Sequence, residues 1–290
     1  MVVVLSLGCA LAYGLSDFVG GVLSRHTSAW TIAVVAQGAA MVFTLLVALF
    51  VWREPVGVDW AWGVLSGVGG GFGASFLYRG LGAGAMSVVA PVSAVGAALL
   101  PVAVGVATGE RPSALTWFGV ACALPAIWLV SRVAENTVPA GDSGVDGSTS
   151  RPRSRAADLI DGLLAGLGFG LLFTALGQVP DSAGLAPLAL SYAASLPTTI
   201  VLAVALGAAW VPRDRRDARA AAAGALGTAA TVLFLLATQT GLLTVAAVLS
   251  SLYPATTVLL AALVLRERIG RTQGVGLLLA GLAVGLVAAG

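Results

Sequence analysis

Asp17 stands inside the first long apolar run of the chain, about five helical turns from its start. At helical spacing Tyr13, Gly14, Gly20, Gly21 and Ser24 share its face. A carboxylate at membrane depth is costly, so it faces a cavity or a partner. The chemistry on offer is proton or cation coupling, or a counter-charge for a substrate amine. The structural alternative is an ion pair with Arg25 or Arg79, or hydration near the interface. No other acidic residue is expected as deep within a spanning segment.

A second group is Ser250-Ser251-Leu252-Tyr253-Pro254. Pro254 lacks an N–H and would free the carbonyl of Ser250, and Pro91, Pro101 and Pro197 would do the same elsewhere. Broken helices with Ser250, Ser251 and Tyr253 at the break could line a solute site. Tyr78 and Arg79 form a third candidate, since a guanidinium reaching a cavity can hold a carboxylate or phosphate. Gln239 belongs to a scattered polar set with Gln37, Gln178, Tyr192, Ser195, Thr198, Thr199 and Thr238. Each can bind a neutral or zwitterionic solute, and each can equally bridge two helices for about 0.6 kcal/mol.

Other chemistry is missing its residues. All fifteen basic residues are arginine, so neither a Walker A loop nor a pyridoxal Schiff base can be built. His26 is the single histidine, and Cys9 and Cys122 lie in apolar runs, where they read as small hydrophobes. No catalytic group, no metal site and no cofactor are expected, and the chain is not expected to be an enzyme.

The elements that must position these residues are helices in a bilayer. The 290 residues are 58% hydrophobic and only 10% charged, with a mean hydropathy of +0.98. A soluble domain carries about 25% charged residues. Soluble enzymes and nucleic-acid binders are thereby excluded, and the partners are the lipid bilayer and a small-molecule substrate. About 20 apolar residues span the hydrocarbon. Ten stretches qualify: 1–24, 30–52, 60–80, 85–107, 113–132, 158–179, 185–210, 219–240, 242–264 and 272–290. The run from Val2 reads as a span rather than a cleaved leader. Small-residue ladders at Gly63/Gly67/Gly71, Gly162/Gly166/Gly170 and Gly281/Gly285 are expected to bring helix backbones together.

Residues 134–156 are polar and rich in Gly, Ser and Pro, and read as a linker between halves 1–133 and 157–290. Sliding 84–133 onto 241–290 needs no gap. Gly84 falls on Gly241, Val88 on Val245, Ser93 on Ser250, Glu110-Arg111 on Glu267-Arg268, and Gly119 on Gly276. Five helices per half force the second half to run inverted through the membrane. The expected fold is an all-α integral membrane protein of ten transmembrane helices in two inverted five-helix repeats.

These features resemble the EamA-type branch of the drug/metabolite transporter superfamily. The resemblance rests on two five-helix halves, each ending in helix–Glu-Arg–helix, and on Ser250 to Pro254 followed by Thr256-Thr257 and an apolar run to Glu267. Ala97 stands where the second half has Pro254, and Tyr13 stands where a Trp is often found. The resemblance implies a secondary carrier in a bacterial cytoplasmic membrane that moves small metabolites or drugs. It would work by proton coupling or exchange, with protons as a second partner and a homodimer as one assembly option. The implied cavity is lined by the first, third, fourth, sixth, eighth and ninth helices. A channel or a non-transporting membrane protein is the alternative, and an intramembrane enzyme is the weakest one. Alternate loops divide the arginines thirteen to two. The positive-inside rule makes the richer side cytoplasmic, whereas the resemblance implies the opposite orientation.

Overall fold

A computed structural model describes residues 1–24, 27–50, 53–82, 86–131, 155–264, 266 and 269–290. Most of residues 134–156, together with His26, Arg25, Glu267 and Arg268, lies outside the described residues. The first half supplies α1 (Val2–Ser24), α2 (Ala29–Phe50), α3 (Gly57–Gly82), α4 (Met86–Ala107) and α5 (Ala114–Ser131). The second supplies α6 (Arg155–Leu176), α7 (Ala186–Ala205), α8 (Ala220–Thr240), α9 (Leu243–Ser250), α10 (Tyr253–Val264) and α11 (Arg271–Ala289). Two short 3₁₀ turns, Asp181–Ala183 and Arg215–Arg219, complete the regular structure, with no strand among the described residues.

Among the described residues, eight helical runs are long and apolar enough to cross a membrane, and α9 with α10 counts as one of them. Two of the ten expected spans fall short. In α4 the qualifying apolar stretch is Val92–Ala107, and α3 dilutes its hydropathy with glycine. Those glycines let α3 wedge between two partners. Gly63, Gly67 and Gly71 face the backbone of α7 at Pro187, Ser191 and Ser195, while Gly69 and Gly73 face α6 at Gly168 and Phe169. The Gly162, Gly166 and Gly170 row of α6 meets α4 at Val92, Gly96 and Leu100. Lipid gives helices no hydrophobic reason to associate, so such close backbone contact carries the packing.

The third ladder needs correction. A side chain at Gly281 or Gly285 would meet nothing within 4 Å. On α11 the packed residue is instead Gly276, against Val130 of α5, with Gly119 of α5 packed reciprocally against Ala283 and Val287. The contrast predicts two stabilities. A Cβ at Gly67 would collide with the Ser191 carbonyl oxygen, so Gly67→Val should cost about 1–3 kcal/mol or more by overpacking. Gly281→Ala should be neutral or better by up to about 1 kcal/mol, from helix propensity. Thermal unfolding of both variants in detergent checks this.

The prolines also divide. α4 runs unbroken through Pro91 and Pro101, and α7 through Pro197, so the breaks expected there do not exist. A proline in a long helix removes one hydrogen bond without having to end it. Only the ninth span is interrupted. α9 stops at Ser250, Ser251 and Leu252 form a turn, and α10 starts at Tyr253. Pro254 sits in the first turn of α10, where its missing N–H has no helical acceptor to lose.

Candidate functional site

A cavity of about 150 Å³ lies among α1, α2, α3, α4, α6, α7, α8 and α10. It draws walls from both halves of the chain. All six helices expected to line it do so, the ninth span through Tyr253 on α10. α2 and α7 also contribute, through Gln37, Tyr192 and Ser195.

α1 sets one wall. Tyr13, Ser16 and Asp17 turn to the same side because they are three and four residues apart. Asp17 is the only charged residue among the described residues of the lining, and no ion pair joins it to a described cation. The Arg25 alternative lies outside the described residues. Ser16 Oγ donates to the Ala223 carbonyl of α8 at 2.9 Å. Gly14, next in sequence, brings α1 against Thr256 and the Tyr253 carbonyl of α10.

α8 sets the facing wall. Gly224, Gly227 and Thr231 repeat at helical spacing; Gly224 lets the Ala36 backbone of α2 approach closely, and Gly227 leaves room beside Ser16 of α1. Thr231 is the hub of a small network. Its Oγ1 lies 2.7 Å from the Gly227 carbonyl, 2.8 Å from Tyr13 Oη and 2.8 Å from Tyr192 Oη. A carbonyl only accepts, so the one Thr231 hydroxyl proton is donated there. Both tyrosines must then donate to Thr231. A second chain joins Ser195 Oγ to Gln37 Oε1 and Gln37 Nε2 to Thr199 Oγ1 at 2.8 Å.

Aromatic rings close one end. Tyr13 meets Phe173 edge-on at 5.9 Å, and Phe173 meets Phe234 at 4.6 Å. They belong to a buried cluster with Leu176, Leu243 and Ala247. At this end the bundle is drawn together. Gly241 lies against Val2, and Gly177 against Leu243. Glu110, in the loop after α4, accepts hydrogen bonds from the backbone N–H groups of Leu243 and, at 2.9 Å, Thr244. A carboxylate from the first half thus caps the positive end of α9 in the second.

Of the candidate residues, Tyr13, Asp17 and Tyr253 line the cavity, with the Tyr13 and Tyr253 rings 6.2 Å apart. Ser250 and Ser251 are fully buried at the α9–α10 break, outside the lining. Gln239 lies at the far end of α8, also outside it. Tyr78 is on α3, and its side chain is outside the described residues.

Arg79 is placed differently from the expectation. Its guanidinium binds Asp161 of α6, through Nε at 2.9 Å and also through Nη2, and lies 4.5 Å from the Phe76 ring centroid. It does not line the cavity. Asp161 is fully buried, so Asp17 is not the only acid inside a spanning helix. The sequence hid this because α6 begins at Arg155, three residues before the expected start. Ser16 and Thr231 were missed as site residues. Thr231 had a signal in the small-residue row Gly224, Gly227, Thr231.

Residues 159–289 match the EamA-like transporter family. Among solved structures, one described only as the crystal structure of a protein superposes with a TM-score of 0.69 at 15% identity, covering 99% of this chain and 96% of that one. That likeness concerns the fold. No curated protein matches the chain.

Proposed function

The chain carries an EamA-like transporter segment over residues 159–289, and from it we propose a secondary carrier of small organic solutes, such as amino-acid-like metabolites or drugs, working by alternating access in a bacterial cytoplasmic membrane. In this reading α3 and α4 span as well, giving ten spans in two inverted halves, 1–133 and 157–290. The reciprocal seats of Gly119 and Gly276 across α5 and α11 support that symmetry, since the two glycines are register partners. So does the burial of Ser93 and Ser250, another register pair.

The observation that carries the function is the cavity itself. It is built from both halves, contains a single carboxylate among its described residues, and adjoins the interrupted ninth span. Rocking one half against the other would open it alternately to each side. Asp17 is the group for proton coupling. The test is counterflow uptake in proteoliposomes. A carrier shows trans-stimulated, saturable uptake, and a channel shows neither. Uptake without trans-stimulation would overturn the reading.

In this mechanism the Glu110 cap is part of the seal at the aromatic end. Glu110→Ala removes charge-assisted acceptors from two N–H groups and should cost about 1–2 kcal/mol. Amide hydrogen exchange at Leu243 and Thr244 should accelerate selectively. Unchanged protection at both positions would show that the cap is incidental.

A further inference from the structure

We propose that the cargo is a small organic monocation with an apolar, preferably aromatic, body, its ammonium group seated at Asp17. The inference rests on the carrier reading and concerns the same cavity.

Charge is the first argument. Asp17 is the one charged residue among the described residues of the lining, and the arginine expected to supply a positive group, Arg79, is bound to Asp161 elsewhere. A carboxylate-bearing cargo would enter a low-dielectric site with a like charge and no counter-charge, which is strongly unfavourable. This weighs against a zwitterionic amino acid as well as against an anion.

Hydrogen-bond inventory is the second. The tyrosine hydroxyls are committed as donors to Thr231, whose own proton goes to Gly227. Ser16 donates to Ala223, and Ser195 donates to Gln37. Thr231 Oγ1 is filled by its two tyrosine donors, but the oxygens of Tyr13, Tyr192, Ser16 and Ser195 keep acceptor capacity after their protons are used. The polar wall therefore offers mostly acceptors and selects a cargo that donates.

The third argument is the apolar lining. The Tyr13 ring has Phe173 and Tyr253 as neighbours. Aromatic faces attract cations, most strongly where water is excluded. A space of about 150 Å³ takes a ring the size of benzene. One aromatic ring with a short aminoalkyl arm matches the volume, the rings and the carboxylate together.

The test uses the full chain in nanodiscs, with isothermal titration of four probes at neutral pH. These are benzylammonium, benzyl alcohol, benzoate and phenylalanine. Benzylammonium should bind at least tenfold more tightly than each of the other three. Asp17→Asn should lower its affinity at least tenfold, and Asp17→Glu should restore it to within a few fold. Equal or tighter binding of benzyl alcohol, benzoate or phenylalanine would overturn the proposal, as would no binding of benzylammonium. If Asp17→Asn does not fold, loss of binding in the folded Tyr13→Leu variant replaces it, and retained affinity there counts against the site. Counterflow separates this inference from the carrier reading. Benzylammonium binding without trans-stimulated uptake sinks the carrier and spares the site. Trans-stimulated uptake of phenylalanine spares the carrier and sinks the cargo class.

Discussion

Asp17→Asn should abolish accumulation driven by a proton gradient in proteoliposomes while the protein stays folded and inserted. The substitution keeps the shape of the side chain and removes its charge. Asp17 holds no ion pair with a described cation and is only half-buried against the cavity, so folding loses little. Transport loses the only charged group among the described residues of the lining. The fate of exchange then separates two duties. If Asp17 only carries the proton, solute exchange survives in the Asn variant. If it also seats the cargo's ammonium group, exchange falls at least tenfold, or about 1.4 kcal/mol, and that is the expected result. Wild-type accumulation under the same gradient would show that Asp17 serves neither duty.

Arg79→Met should destabilise the protein by about 3 kcal/mol, the lower end of the cost of stranding a buried charge. The lower end applies because the guanidinium is 28% exposed while Asp161 is fully buried. Against a total stability of about 5–15 kcal/mol, the single variant should melt many degrees below wild type. Adding Asp161→Leu should recover most of the loss, since replacing both partners by apolar groups is often neutral. The pair of variants also decides what Arg79 does. A structural role predicts that the double variant transports as well as it folds. A double variant that is stable but unable to bind solute would make Arg79 a ligand group after all.

The helices were legible in the sequence because ~20-residue apolar runs leave little choice of structure in lipid. Two of the three glycine ladders were legible for the same reason, as small residues mark close helix contact. Gly281 and Gly285 show the limit. Spacing alone does not say which face of α11 meets α5, and that was decided by Gly276 and Gly119. Composition predicts a proline's lost hydrogen bond but not whether the chain turns there: the helix continues through Pro91, Pro101 and Pro197, and the chain turns just before Pro254. The site was half legible. Asp17 stood out by depth, and Tyr13 and Tyr253 by their neighbours. The polar hub depends on Thr231 meeting Tyr13 across 218 residues of sequence, and no local pattern encodes that pairing. Asp161 has no local signature of depth, because its burial is set by α3 packing over it through Arg79.

The carboxylate that caps α9 has a consequence for how the chain is made. Glu110 leaves the ribosome 133 residues before Leu243, on the order of ten seconds at usual synthesis rates. During that interval its partner amides do not exist. When α9 does emerge, its first turn meets a carboxylate from the half already inserted. Assembly is therefore ordered in time, with the early half acting as the template on which the late half finishes. A ribosome stalled before residue 243 should leave an intermediate in which a probe at Glu110 is solvent-accessible, and release of the full chain should bury it.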